Sequence, residues 1–159
     1  MSTDLTPRMN PYKAAPAAYK PLIELQAYTD QCGLEPSLLE LVKTRASQIN
    51  GCAFCLEMHT REARAAGESE ARLYLLNAWH ESPLYTDRER AALQWTEAVT
   101  RVSETGVPDE AWKAVSAAFS EAEIANLTVA IGMINVWNRL AVSFRSLHPV
   151  TEEQQRKTA

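Results

Sequence analysis

From Ile124 to Trp137 the chain reads Ile-Ala-Asn-Leu-Thr-Val-Ala-Ile-Gly-Met-Ile-Asn-Val-Trp, which wound as a helix is apolar on nearly every side. Such a helix has to be enclosed, either at the centre of a domain or between subunits, so the rest of the chain must supply elements to surround it. Its start is marked by Ser120 and Glu123 at capping-box spacing, which predicts a helix over about Glu121 to Phe144. Similar punctuation recurs upstream. Thr86 and Glu89 repeat the box ahead of Leu93, Thr96, Val99 and Val102, with Gly106 as the stop signal. Pro36 suits the first position of a helix carrying Leu38, Leu39, Val42, Ala46 and Ile49, ended by Asn50-Gly51.

Shorter helices are expected from about Pro21 to Cys32, from Cys52 to Gly67, from Ser69 to Trp79, and after Pro108 through Trp112, Val115 and Phe119. No segment shows strand periodicity, and five glycines in 159 residues argue against a strand-and-turn architecture. The expected fold is all-α: one helical bundle of about six to seven helices at residues 17–149, preceded by an extended, proline-bearing arm at 1–16 and followed by a polar tail at 150–159. An arm of that kind often packs on a partner subunit. With the apolar last helix, it predicts a homo-oligomer.

Composition narrows the function. A net charge of -4 removes the usual electrostatic reason for binding nucleic acid or anionic lipid. Residues Met1 to Pro16 contain no apolar core of signal-peptide length, and no stretch reads as long enough to cross a bilayer. The expectation is a cytoplasmic protein without nucleic-acid or membrane partners. Three cysteines cannot all pair within one chain, and two of them form Cys52-Ala-Phe-Cys55, a spacing that a reducing compartment devotes to redox or metal chemistry.

Glu40, Cys52, Cys55 and His59 fall within twenty positions. At about 100° per residue, Cys55 lies roughly 60° and His59 roughly 20° from Cys52, so a helix holding all three projects them from one stripe. Side chains lean towards the helix N-terminus, which brings His59 back over Cys55. The stripe offers a base, a positive environment for a thiolate, and a second sulfur to trap an oxidised first one. A helix N-terminus is worth about 0.3–1 kcal/mol to an anion, and an imidazolium about 4 Å away gives several kcal/mol gross, so the histidine selects Cys55 as the more acidic thiol. Glu40, on the preceding helix, is placed to orient His59 or accept its proton.

Other readings of the same residues are two small core thiols, or a zinc site built from Cys52, Cys55, His59 and Glu40. Haem attachment would need a histidine directly after the second cysteine, where Leu56 stands. Cys32 reads as a core or helix-end residue, His80 and His148 as loop residues, Arg45 and Arg139 as surface arginines, and Trp95, Trp112 and Trp137 as core.

Glu40, eleven residues, Cys52, two residues, Cys55, three residues and His59 resembles the signature of AhpD-like alkylhydroperoxidases, of the carboxymuconolactone decarboxylase superfamily. The helical pattern and the segment Asn135 to Arg139 are compatible with it. The resemblance implies an all-α homo-oligomer, a dimer, trimer or hexamer, that reduces hydroperoxides in antioxidant defence without a bound cofactor or metal. Cys55 would attack the peroxide, Cys52 would resolve it as a disulfide, Glu40 and His59 would relay protons, and an external dithiol or lipoyl-type thiol would restore the pair. The alkylhydroperoxidase pattern places a histidine immediately before the second cysteine; Phe54 in that place leaves one donor fewer. The alternative is a thiol-disulfide redox adaptor, or a redox-regulated binding protein, without peroxidase turnover.

Overall fold

The computed structural model describes residues 5–150, which contain nine α-helices, one 3₁₀ turn and no strand. The helices are α1 (Pro11–Ala14), α2 (Pro16–Thr29), α3 (Pro36–Asn50), α4 (Ala53–Ala65), α5 (Glu70–Leu75), α6 (Asp87–Thr100), α7 (Val102–Thr105), α8 (Asp109–Ala118) and α9 (Glu121–Phe144), with the 3₁₀ turn at Leu76–Ala78. Both capping boxes form, with Thr86 and Ser120 accepting from the backbone N–H of Glu89 and Glu123. The last helix has the bounds its sequence marks.

The two helices beyond the expected six to seven are single turns. At Arg101 the backbone leaves helical geometry, and the Thr105 hydroxyl donates to the Ala98 carbonyl at 2.8 Å, which splits the helix that ends at Gly106. The other turn is α1, inside the arm expected to be extended. Asn10 caps it through the Lys13 N–H, and Pro11 fills its first position, where an amide proton has no partner to lose. Helix α2 likewise starts at Pro16 and runs through Pro21, five residues earlier than the expected start. Of the arm, residues 5–16 lie on their own chain: the Arg8 N–H donates to the Phe144 carbonyl at 3.1 Å and its guanidinium to the Ser143 carbonyl at 2.9 Å. Residues 151–159 of the expected tail lie outside the described residues.

The centre of the bundle is α3, which packs on α4, α6 and α9. Every side chain from Leu38 to Ser47 except Glu40 is buried, polar ones included, because each charged one has a partner: Lys43 has Asp30 and Glu40, and Arg45 has Glu97 at 2.8 Å. Arg45 is therefore an interior ion pair, not a surface residue. Helix α9 closes one side of α3 with Ile124, Leu127, Ile131 and Ile134, while Val129, Val136 and Val142 on its outer side are exposed. By length and mean hydropathy α9 is sufficient to cross a membrane, contrary to the sequence reading; in this fold it packs on α2, α3, α4, α6 and α8 instead. Each fully buried Leu, such as Leu41, Leu93 and Leu127, contributes about 1.5–3 kcal/mol of apolar transfer energy.

Candidate active site

One turn sets the position of the sulfurs. Gly51 closes α3 at a φ of +64°, in the left-handed region that glycine enters without a Cβ clash. The next N–H, that of Cys52, reaches back to the Ser47 carbonyl at 3.0 Å, and the Cys52 carbonyl accepts from Leu56 at 2.9 Å. Cys52 thus ends one helix and caps the next. It stands outside the helical stripe on which the sequence reading placed it, whereas Cys55 and His59 lie on α4 proper, both buried. Cys52, Cys55, Ala46, Ile134 and Ala141 form one apolar cluster, with Phe54 and Trp137 packed against it.

The two sulfurs are coupled. The Cys55 thiol donates to the Cys52 sulfur, which also faces the N–H groups of Cys55 and Phe54 at the start of α4 and the amide of Asn138. The bond from Cys55 is the largest influence, and together with the backbone donors it overcomes burial and holds the Cys52 thiol below its ordinary range. The same bond, burial and the charge on Cys52 push Cys55 up. In this geometry Cys52 is the thiol held down and Cys55 the one pushed up, opposite to the order expected from the histidine alone. The helix-end donors act on Cys52 directly, and His59 is turned to a different partner.

That partner is Glu40. Its Oε2 stands 3.0 Å from His59 Nδ1, and its Oε1 accepts from Lys43 Nζ at 3.2 Å. Burial raises the Glu40 carboxyl pKa, but the His59 hydrogen bond and the Lys43 charge outweigh it and hold the group below the usual range. An ionised carboxylate only accepts, so Nδ1 carries the proton, and in the neutral imidazole Nε2 keeps the lone pair of a base. Lys43 also donates to Asp30 at 2.9 Å; burial lowers its pKa, but Glu40 and Asp30 more than restore it. Glu62 lies 3.8 Å from His59 Nδ1 on the exposed side.

Sequence reasoning missed two members of the site. Lys43 follows Glu40 by one helical turn, a spacing that signals an ion pair. Asn138 is buried, donates to Ser47 Oγ at 3.0 Å and accepts from Asn50 Nδ2 at 2.9 Å. A polar side chain inside an apolar helix was its signal.

A cavity of about 470 Å³ opens over Cys55 and His59, walled by Tyr12, Tyr19, Phe54, Met58 and Trp137. A smaller one, of about 240 Å³, borders Cys52 with Ala141, Arg145 and His148, and Phe54 lines both. The zinc set weighed from the sequence is not assembled: among the described residues, the potential metal ligands that converge within 4.8 Å are Glu40, His59 and Glu62, without either sulfur. Cys32 is a free thiol packed beside the α3, α6, α8 and α9 core, apart from the site cluster. His80 stacks on Trp79 and lies 3.6 Å from Glu97. Trp112, expected in the core, is half-exposed, since α8 lies at the rim of the bundle.

Comparison with known proteins agrees with this architecture. The chain is 39% identical over 139 residues to the uncharacterized protein YdfG of Bacillus subtilis (strain 168), covering 87% of this chain and 95% of that one. A crystal structure of a protein of unknown function from Agrobacterium tumefaciens, provisionally described as the antioxidant defence protein AhpD, superposes with a TM-score of 0.89 at 51% identity, covering 92% of this chain and all of that one. An uncharacterized peroxidase-related protein with an alkylhydroperoxidase AhpD core, from Ralstonia eutropha JMP134, shares the fold at a TM-score of 0.71 and 17% identity, over 90% of this chain and 75% of that one. Residues 15–98, more than half of the chain, match the carboxymuconolactone decarboxylase family, and with that match the chain belongs to this family as an AhpD-like member.

Proposed function

We propose that the protein is a thiol-dependent hydroperoxide reductase of the antioxidant type, in which Cys55 attacks and Cys52 resolves. The observation that carries the reading is a pair of buried thiols in one cluster, one of which shares a cavity with His59, the histidine that Glu40 orients. The description of the Agrobacterium relative as an antioxidant defence protein supports the same reading.

The reduced pair holds one proton, which Cys55 donates towards Cys52. As the proton crosses to Cys52, the Cys55 thiolate forms an S–O bond with the peroxide and the O–O bond breaks. The products are a sulfenic acid and an alkoxide, which takes up a proton to leave as the alcohol. His59, oriented by Glu40, then takes the proton of Cys52 as its sulfur attacks Cys55, and returns it to the departing hydroxide to give water and a disulfide. An external dithiol or lipoyl-type thiol reduces the disulfide, and no bound cofactor or metal takes part. The working form is a homo-oligomer.

The roles separate in single-serine variants. Cys55→Ser abolishes reaction with peroxide, while Cys52→Ser reacts once and stops at a sulfenic acid on Cys55. Peroxide reaction by the variant that keeps only Cys52, and none by the variant that keeps only Cys55, would exchange the two roles. A wild-type protein that exchanges its disulfide with dithiols yet consumes no peroxide would instead be a redox adaptor.

A further inference from the structure

Cleavage of a hydroperoxide leaves an alkoxide or hydroxide, a base about as strong as the anion of water and so a poor leaving group unless it is protonated. A proton must reach that oxygen at the cavity side of Cys55. The donors there are few. Lys43 is held by Asp30 and Glu40, His59 Nδ1 faces Glu40, Phe54 beside Cys55 has no proton to give, and of the two phenols in the wall Tyr19 is buried while Tyr12 is open to solvent.

Tyr12 stands in the same cavity wall as Cys55. Its position is built: Arg8 ties the preceding segment to the C-terminal end of α9, Asn10 caps α1, and the Tyr12 ring rests on Tyr19 with centroids 4.5 Å apart, Tyr19 in turn lying 6.4 Å from Trp137. Among the described residues the Tyr12 hydroxyl has no hydrogen-bond partner, although its ring is fixed. We propose that Tyr12 is the proton donor to the leaving oxygen, a catalytic residue supplied by the N-terminal strap. This role rests on the peroxidase reading above.

In the step, Cys55 sulfur bonds to the terminal peroxide oxygen and is oxidised by two electrons. The O–O bond breaks, the inner oxygen takes the phenolic proton and leaves as the alcohol, and the tyrosinate recovers a proton from water at the open side, where Tyr12 is half-exposed. Burial, Tyr19 and the nearby Cys55 all raise the phenol's pKa, so it is protonated at neutral pH and available as an acid.

The test compares two oxidants in stopped flow, using reduced full-length protein and Tyr12→Phe, which keeps the ring and removes only the hydroxyl. Cumene hydroperoxide expels an alkoxide; a peracid expels a carboxylate that needs no proton. The proposal expects Tyr12→Phe to react with cumene hydroperoxide at least about 10²-fold more slowly, the low end of what general acids supply, and with the peracid less than about twofold more slowly. Equal slowing with both oxidants would make Tyr12 a wall of the cavity and overturn the donor role. Unchanged rates with both would overturn it too, leaving the peroxidase reading intact. Wild-type protein that reacts with neither oxidant overturns that reading and the role of Tyr12 with it.

Discussion

His59 Nδ1 lies 3.0 Å from Glu40 Oε2, so the imidazole is oriented by a carboxylate on α3 and presents Nε2, not Nδ1, to the rest of the site. Lys43 holds the other oxygen of the same carboxylate, which fixes Glu40 from two sides. A base of this design is oriented before the substrate arrives, and its orientation depends on three residues of two helices that meet at the Gly51 turn.

Two substitutions separate base from orienter. His59→Ala should slow disulfide formation from the Cys55 sulfenic acid by about 10²-fold at neutral pH, within the range of general bases. Glu40→Gln keeps an acceptor for Nδ1 and should slow it less. Rapid-quench mass spectrometry of the sulfenic and disulfide forms reads both, and a Glu40→Gln defect larger than that of His59→Ala would contradict the orienting role.

Mild oxidation should join Cys52 to Cys55 and leave Cys32 reduced, because the first two share one buried cluster and Cys32 packs elsewhere. Peptide mapping after diamide treatment decides it. A dominant bridge to Cys32, or sulfinic acid on Cys55 without a bridge, would contradict the resolving role of Cys52.

The carboxyl groups of Glu40 and Glu97 are both held below the usual range, in each case against burial, by hydrogen bonds and nearby cations. A group lowered in the folded state contributes stability that is full above its unfolded pKa, about 4.3 for glutamate, and is lost as pH falls through the folded value. Stability against urea should therefore be full above about pH 4.3 and fall as pH drops below it, and Glu40→Gln should flatten that acid limb. An acid limb of unchanged steepness in the variant would show that Glu40 is not one of the groups responsible.

Arg45→Ala leaves the half-buried Glu97 carboxylate without the guanidinium 2.8 Å away and should cost about 3 kcal/mol in denaturant unfolding, the scale on which broken buried pairs act. A loss under about 1 kcal/mol would place the pair among solvent-screened ones.

Much of the bundle is legible in the residues. Ser120 with Glu123 and Thr86 with Glu89 mark two helix starts because a capping box is a purely local device. The Glu40, Cys55 and His59 positions follow from helical spacing, which holds wherever the chain is helical. Cys52 does not follow, since a residue at the cap lies off the helix and azimuth says nothing about where its sulfur points; what holds its thiol down is first Cys55 and then backbone N–H groups that spacing does not display. Helix α3 reads as amphipathic yet is the enclosed one, because Lys43 and Arg45 find partners on other elements that only the fold brings together. The arm hid a helical turn whose signal, Asn10 before Pro11, is present but is outweighed by the surrounding prolines.

The outer face of α9 predicts assembly. Tyr28 on α2 bonds Asn126 on α9 at 3.0 Å, and one turn on Val129 is exposed, as are Ile23 and Val136, so an apolar surface runs across the two helices. Light scattering at micromolar concentration should give a multiple of 17.7 kDa. A monomer alone would contradict the expected oligomer.

The central claim is that the Cys52–Cys55 pair itself reduces a hydroperoxide. Stopped-flow mixing of fully reduced wild-type protein with one equivalent of an organic hydroperoxide, followed by mass spectrometry of the quenched product, tests it most directly. The account predicts loss of one peroxide for each pair of thiols, appearance of the Cys52–Cys55 disulfide through a transient Cys55 sulfenic acid, and release of the matching alcohol. Peroxide that survives unchanged beside fully reduced thiols would contradict it.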